Sequence, residues 1–134
     1  MLTVTADSNI YISALVFGGL PLQFLDAARA GVFRLTISDG VLAEVLKVLR
    51  LKFLWSEEAL LEAATLLASI AGRVEPTEAI SVITADPDDD RILECAVAAE
   101  AGFIVSGDNH LLRLGRYRNI HILRVADFMA LIRP

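Results

Sequence analysis

Four carboxylates stand where acids in this chain could do chemistry: Asp7, Glu44, Asp90 and Asp108. Asp7 directly follows the run Leu2-Thr3-Val4-Thr5-Ala6, and Asp108 follows Phe103-Ile104-Val105 after only Ser106 and Gly107. If both runs are strands of one parallel sheet, both acids reach its carboxyl-terminal rim, where open α/β sheets keep their functional crevice. Glu44 falls in the early turns of the helix after a second strand, and Asp90 starts the helix before the strand of Asp108, which brings both near the same rim. Carboxylates gathered in a small space repel one another, and at neutral pH they need a cation or a shared proton. A hard divalent ion meets that need. Mg²⁺ and Mn²⁺ take oxygen ligands and keep several waters, whereas one Cys and 2 His leave little for a zinc site, so zinc is not expected. An ion held by acids at a sheet rim binds a phosphate oxygen, lowers the pKa of a bound water and orients both for in-line attack on a phosphodiester.

The same positions have a structural reading. Asp7 and Asp108 suit strand-end turns or helix N-caps, and on pattern alone this stands level with the functional reading. Glu44 suits a solvated helix face, and most of the run Asp86-Pro87-Asp88-Asp89-Asp90 suits a turn and helix start, where acids meet the positive end of the helix dipole.

The elements that must position these acids follow from the apolar period, which alternates between strand-like and helix-like along the whole chain. Strands are expected at residues 2–6, 33–37, 103–105 and 120–124. Helices are expected from Ile10 to the Gly18-Gly19 stop, from Pro21 to Gly31, after the caps Ser38 and Asp39, from Ser56 to about Ile70 with Gly72 ending it, from Asp90 through Ile92, Leu93, Ala96 and Val97 to Gly102, after Gly107-Asp108-Asn109 through about Leu114, and over residues 126–132. Residues 74–84, with Pro76, read as connection with at most a short strand. Single helices between strands imply parallel pairing and right-handed crossovers, hence an α/β three-layer α/β/α sandwich with a mostly parallel sheet. The length of 134 residues, without a repeat or linker, is that of a single domain over 1–134.

Composition narrows the class further. Hydrophobic residues make up 55% and charged residues 22%, which excludes disorder. The mean hydropathy of +0.58 raises the question of a membrane span, but Asp7, Gln23, Asp26 and Arg29 interrupt the first apolar stretch and Glu57, Glu58 and Glu62 head another, so no transmembrane helix is expected. A lone cysteine and the lack of a cationic leader favour a reducing, cytoplasmic setting. The net charge of −5 disfavours bulk electrostatic capture of nucleic acid, so contact with it must rest on local features.

Taken in order, four segments resemble the PIN-domain family of metal-dependent ribonucleases, specifically its bacterial and archaeal toxin-like branch. They are Val4-Thr5-Ala6-Asp7-Ser8-Asn9-Ile10-Tyr11-Ile12-Ser13-Ala14, Ser38-Asp39-Gly40-Val41-Leu42-Ala43-Glu44-Val45, Asp86-Pro87-Asp88-Asp89-Asp90-Arg91-Ile92-Leu93-Glu94-Cys95-Ala96 and Ile104-Val105-Ser106-Gly107-Asp108-Asn109-His110-Leu111-Leu112. Each is weak alone, but the set in this order runs nearly end to end. The resemblance implies that Asp7, Glu44, Asp90 and Asp108 form the acidic cluster holding Mg²⁺ or Mn²⁺ for endonucleolytic RNA cleavage. It makes Asn9 and Ser106 polar braces, since hydrogen bonds behind a ligand fix its orientation, and Asp86 a further acid near the site, unranked against Asp90. It also implies a homodimer and, for a toxin, a small antitoxin protein that blocks the site.

Many relatives carry another acid where this chain has His110; hydrogen bonding at the helix start is the favoured role here, with phosphate contact the alternative. His121 reads as packing or surface, Cys95 as a small buried residue, and Trp55 as a core or dimer anchor. Lys47, Arg50 and Lys52 follow Glu44, and Arg113, Arg116 and Arg118 follow Asp108; Lys47, Arg50, Arg113 and Arg116 are candidate RNA contacts, with solvated surface the alternative. Two other functions compete: an inactive PIN-like binding module, and a doubly wound phosphotransfer or phosphatase domain. The last needs a lysine by the site, and the only lysines are Lys47 and Lys52, on a helix far from the late strands.

Overall fold

The alternating segment at the amino terminus forms β1 (Thr3–Ala6), the strand from which the sheet grows in both directions. A computed structural model describes residues 1–83 and 87–133. In it β1 pairs in parallel with β2 (Arg34–Ser38) on one side and with β4 (Phe103–Val105) on the other. Beyond β2 lies β3 (Ala71–Val74), and beyond β4 lie β6 (Ile120–Leu123) and then β5 (Arg116–Tyr117), giving the order β3-β2-β1-β4-β6-β5. Only β5 runs antiparallel to its neighbour among these pairs. The chain winds outward from β1 through β2 to β3, then returns to β4 on the opposite side. The winding direction therefore reverses between β1 and β4, and the carboxyl ends of those two strands flank the crevice.

Register sorts the side chains into two faces, because successive residues of a strand point to opposite sides. Val4 stands level with Leu35 and Phe103, while Thr5 stands level with Thr36 and Ile104. The first set meets a buried aromatic cluster: the ring of Phe128 lies 5.7 Å from that of Phe103 and 5.0 Å from that of Phe33, which in turn lies 4.9 Å from Phe24. Phe24 comes from α2 (Gly19–Arg29) and Phe128 from α7 (Val125–Ile132), so these two helices cover that face. Burying each such ring stabilises the fold by roughly 1.5–3 kcal/mol. Under the other face runs α5 (Pro87–Ala98), which contacts β1, β2 and β4 and buries Leu93, Cys95 and Ala96. Polar groups there are paired: the Thr5 and Thr36 hydroxyls are 2.8 Å apart, Thr36 also donates to Val4 O at 3.2 Å, and the Cys95 thiol meets Ser38 and Thr5.

The remaining helices are α1 (Ser8–Val16), α3 (Asp39–Leu51), α4 (Glu57–Ile70) and α6 (Asn109–Leu114). The layered α/β/α architecture is the one the periodicity implied. Ser38 caps α3 by accepting from Val41 N at 3.2 Å, and Ser56 caps α4 by accepting from Ala59 N at 3.1 Å. Gly18 and Gly19, at φ of 76° and 61°, let the chain turn between α1 and α2, which meet at 105°. Among the described residues no single helix is long and apolar enough to cross a membrane.

Three boundaries differ from expectation. Gly72 does not end the helix before it: Ala71 is already extended and Gly72 pairs with Thr36 inside β3, so the strand lies earlier than residues 74–84. The fifth helix starts at Pro87, three residues ahead of Asp90, because Pro at a first helical turn lacks only an N–H that had no partner there. The two-residue strand β5 has no sequence signal, since its turn places Arg118 rather than a glycine at a positive φ of 54°.

Candidate metal centre

Asp7 leaves the end of β1 at the switch point, 4% exposed. Its backbone N–H donates to Val105 O at 3.1 Å, tying it to the neighbouring strand, and its Oδ1 caps α1 by accepting from Ile10 N at 3.3 Å. Its Oδ2 accepts a very short hydrogen bond from the Ser106 hydroxyl. Burial raises the pKa of Asp7; hydrogen bonds from Ser106 and from the backbone N–H groups of Ile10 and Asn9 pull it down, and the charge of Asp108 pushes it up. Asn9 thus braces Asp7 through its backbone, and its side chain is exposed.

Ser106 is fully buried and serves both strand-end acids: its Oγ also accepts from Asp108 N at 2.9 Å. Asp108 caps α6, its Oδ1 accepting from His110 N at 2.8 Å and Leu111 N at 3.3 Å. The capping role and the site position therefore coincide at both Asp7 and Asp108. Beside Asp108 stand His110 and Asp89. The Nδ1 of His110 lies 3.5 Å from Asp89 Oδ2 and 3.7 Å from Asp108 Oδ1, and one donor atom from each of the three residues falls within 4.8 Å of the others.

Asp90 is buried, but its Oδ1 accepts from Val82 N at 3.0 Å and Ile83 N at 2.9 Å. Glu94, one turn on, accepts from Ile80 N at 2.8 Å, so these two acids bind the stretch before α5 to the helix. Adjacent helical residues point about 100° apart, which sends Asp89 toward α6 and Asp90 toward that stretch. Sequence reasoning passed over Asp89, yet a signal existed. Asp89 continues the buried line of Ile92, Leu93 and Ala96 at helical spacing, and the end of a buried line at the rim points into the crevice. Glu44 lies exposed on α3, and Asp86 lies outside the described residues.

Alongside the centre a groove of about 320 Å³ opens between Ser8, Ser38, Asp39, Arg73, Asp88 and Arg91. Arg73 donates to both oxygens of Asp39 at 2.6 and 2.5 Å; the pair lowers the carboxyl pKa and raises that of the guanidinium. Of the basic residues singled out above, Arg50 is held by both oxygens of Glu57 at 3.0 and 2.9 Å, and Arg116 donates to Arg118 O at 3.1 Å and Asn119 Oδ1 at 3.3 Å. Lys47 and Arg113 are exposed on α3 and α6.

The family model for the PIN domain matches residues 3–110, an interval that begins at β1 and ends on His110. The chain belongs to the PIN domain family, whose fold is a nuclease fold and whose members are generally metal-dependent nucleases. No curated protein matches it.

Proposed function

We propose that this chain is an endoribonuclease that hydrolyses RNA phosphodiesters with Mg²⁺ or Mn²⁺, and that it is the toxin of a toxin–antitoxin pair. The observation that carries the nuclease reading is the convergence of Asp7, Asp108, Asp89 and His110 at the β1–β4 switch point, with Ser106 joining the first two. The donor set fits a divalent ion: it is dominated by carboxylate oxygens, and among the described residues the buried Nδ1 of His110 has no hydrogen-bond partner. Asp7, Asp89 and Asp108 would hold the ion, with Glu44 and Asp90 the further acids that the family resemblance names. When bound, such an ion lowers the pKa of a water and neutralises charge on the attacked phosphate.

The chain's own groups do the positioning. Ser106 holds Asp7, the first N–H groups of α6 hold Asp108, and the rigid strand ends hold both at one spacing. Of the four candidate RNA contacts, Lys47 and Arg113 are exposed and, among the described residues, not tied up as Arg50 and Arg116 are, which suits them to meet phosphates. A homodimer, an antitoxin partner and a cytoplasmic setting belong to the same reading.

Cleavage of several RNAs with Mn²⁺ tests it. Wild type is expected to cut internally and to stop when EDTA removes the ion, and Asp7→Asn and Asp108→Asn to lose activity while remaining folded. If both variants cleave like wild type, the metal-nuclease reading is wrong. Metal-dependent binding of RNA without cleavage would instead favour the inactive binding module. A gene for a small protein beside this one, whose product suppresses cleavage, tests the toxin assignment.

A further inference from the structure

Resting on that reading, we propose that His110 supplies a nitrogen ligand to the divalent ion, so that the centre prefers Mn²⁺ to Mg²⁺. The Nδ1 atom of His110 is buried, although the side chain as a whole is 39% exposed, so the exposure lies on the rest of the ring. Among the described residues its two nearest acids, Asp89 at 3.5 Å and Asp108 at 3.7 Å, are too far for good hydrogen bonds, and Nδ1 has no other partner. A ring nitrogen left in this way, facing two carboxylates, is one arm of an incomplete coordination shell. The distances agree. Two donors each about 2.1 Å from one ion stand about 3.0 Å apart at an octahedral right angle and about 3.4 Å apart at a tetrahedral one. The observed separations need to close by only tenths of an ångström.

The backbone of His110 is held by the same turn that orients Asp108. His110 N donates to Asp108 Oδ1 at 2.8 Å, and Leu111, the next residue, is fully buried. Asp89 approaches from α5, so the three donors come from two elements whose packing sets their spacing. Mg²⁺ strongly favours oxygen, whereas Mn²⁺ and the later first-row ions accept imidazole. One nitrogen among oxygens therefore changes ion preference without changing the acids. This also limits the argument against zinc from cysteine and histidine counts, since one well-placed histidine is enough to alter preference.

The test uses the full chain without RNA. Mn²⁺ is added to wild type, H110N, H110D and H121N, and electron spin echo modulation from ¹⁴N is recorded together with Mn²⁺ and Mg²⁺ affinities by calorimetry. Wild type and H121N are expected to show nitrogen modulation and H110N to lose it. H110D should bind Mn²⁺ without modulation, its Mn²⁺-over-Mg²⁺ preference reduced roughly tenfold or more, at least the loss typical of disturbing a metal's outer hydrogen-bonding partners. Mn²⁺ bound to wild type without nitrogen modulation, no Mn²⁺ binding by wild type, or modulation that survives in H110N each overturns the proposal. None of these bears on RNA cleavage by wild type against Asp7→Asn, so the nuclease reading fails or stands separately.

Discussion

The hydroxyl of Ser106 donates to Asp7 across the gap between β4 and β1, joining residues 99 positions apart, and the same oxygen accepts the backbone N–H of Asp108. One buried hydroxyl thus sets the relative position of both strand-end acids. Ser106→Ala removes the donor to Asp7 and the acceptor for Asp108 N, and it is expected to cost about 1–3 kcal/mol of stability. Urea denaturation measures this, and a change near zero would mean that water replaces the hydroxyl.

Asp7→Asn is expected to gain stability relative to wild type as pH rises, in the absence of metal. Burial is the largest influence on Asp7 and raises its pKa above the ordinary 3.8, so the folded state holds the proton more tightly than the unfolded one. Stability from this group is full below 3.8 and is lost as pH rises through the raised value, whereas neutral Asn keeps its shape and cap without that loss. Denaturation at several pH values between about 4 and 7, with EDTA present, gives the trend. A variant that instead falls behind wild type as pH rises would show that the hydrogen bonds to Asp7 outweigh its burial.

Asp89 and Asp90 are expected to respond in opposite ways. Asp90→Ala strips the acceptor from Val82 N and Ile83 N, and with Ile83 buried it should lower stability by about 1–3 kcal/mol. Asp89→Asn should weaken Mn²⁺ binding, because it removes a charged donor from beside Asp108 and His110. Calorimetric titration alongside thermal melts separates the two; metal binding lost in Asp90→Asn and kept in Asp89→Asn would restore the ligand role to Asp90.

Replacing Lys47 and Arg113 together with Ala is expected to flatten the salt dependence of RNA binding. Each phosphate contact to a single strand contributes about 0.7 to the slope of log K against log salt, so the pair should remove about 1.4. Arg50→Ala should change the slope less, because Glu57 already holds its guanidinium. Fluorescence anisotropy with a single-stranded RNA in the Asp7→Asn background reads the slope without cleavage, and an unchanged slope would place the strand elsewhere.

Cys95 is expected to resist thiol reagents in the folded protein at neutral pH and to react once denatured. Burial pushes its pKa up and outweighs the contacts with Ser38 and Thr5, so little thiolate forms and access is closed. Rapid labelling without denaturant, followed by a dye-release assay, would mean that α5 opens from the sheet.

Much of this architecture was legible because it rests on neighbours within four residues. Apolar alternation marked β1, β2 and β6, an unbroken apolar run marked β4, and hydroxyl or carboxylate residues before apolar stripes marked the starts of α3, α4 and α6. Strand ends followed by Asp7 and Asp108 marked the rim. Pairings between distant segments were not legible. Whether Asp89 or Asp90 faces the crevice depends on which side of α5 meets the sheet. The start of β3 depends on its register against Thr36, and the role of Ser106 depends on two strands being neighbours. Local hydrogen bonds and periodicity are written in consecutive residues, whereas the direction of a side chain at the rim is settled only when helices pack and strands align.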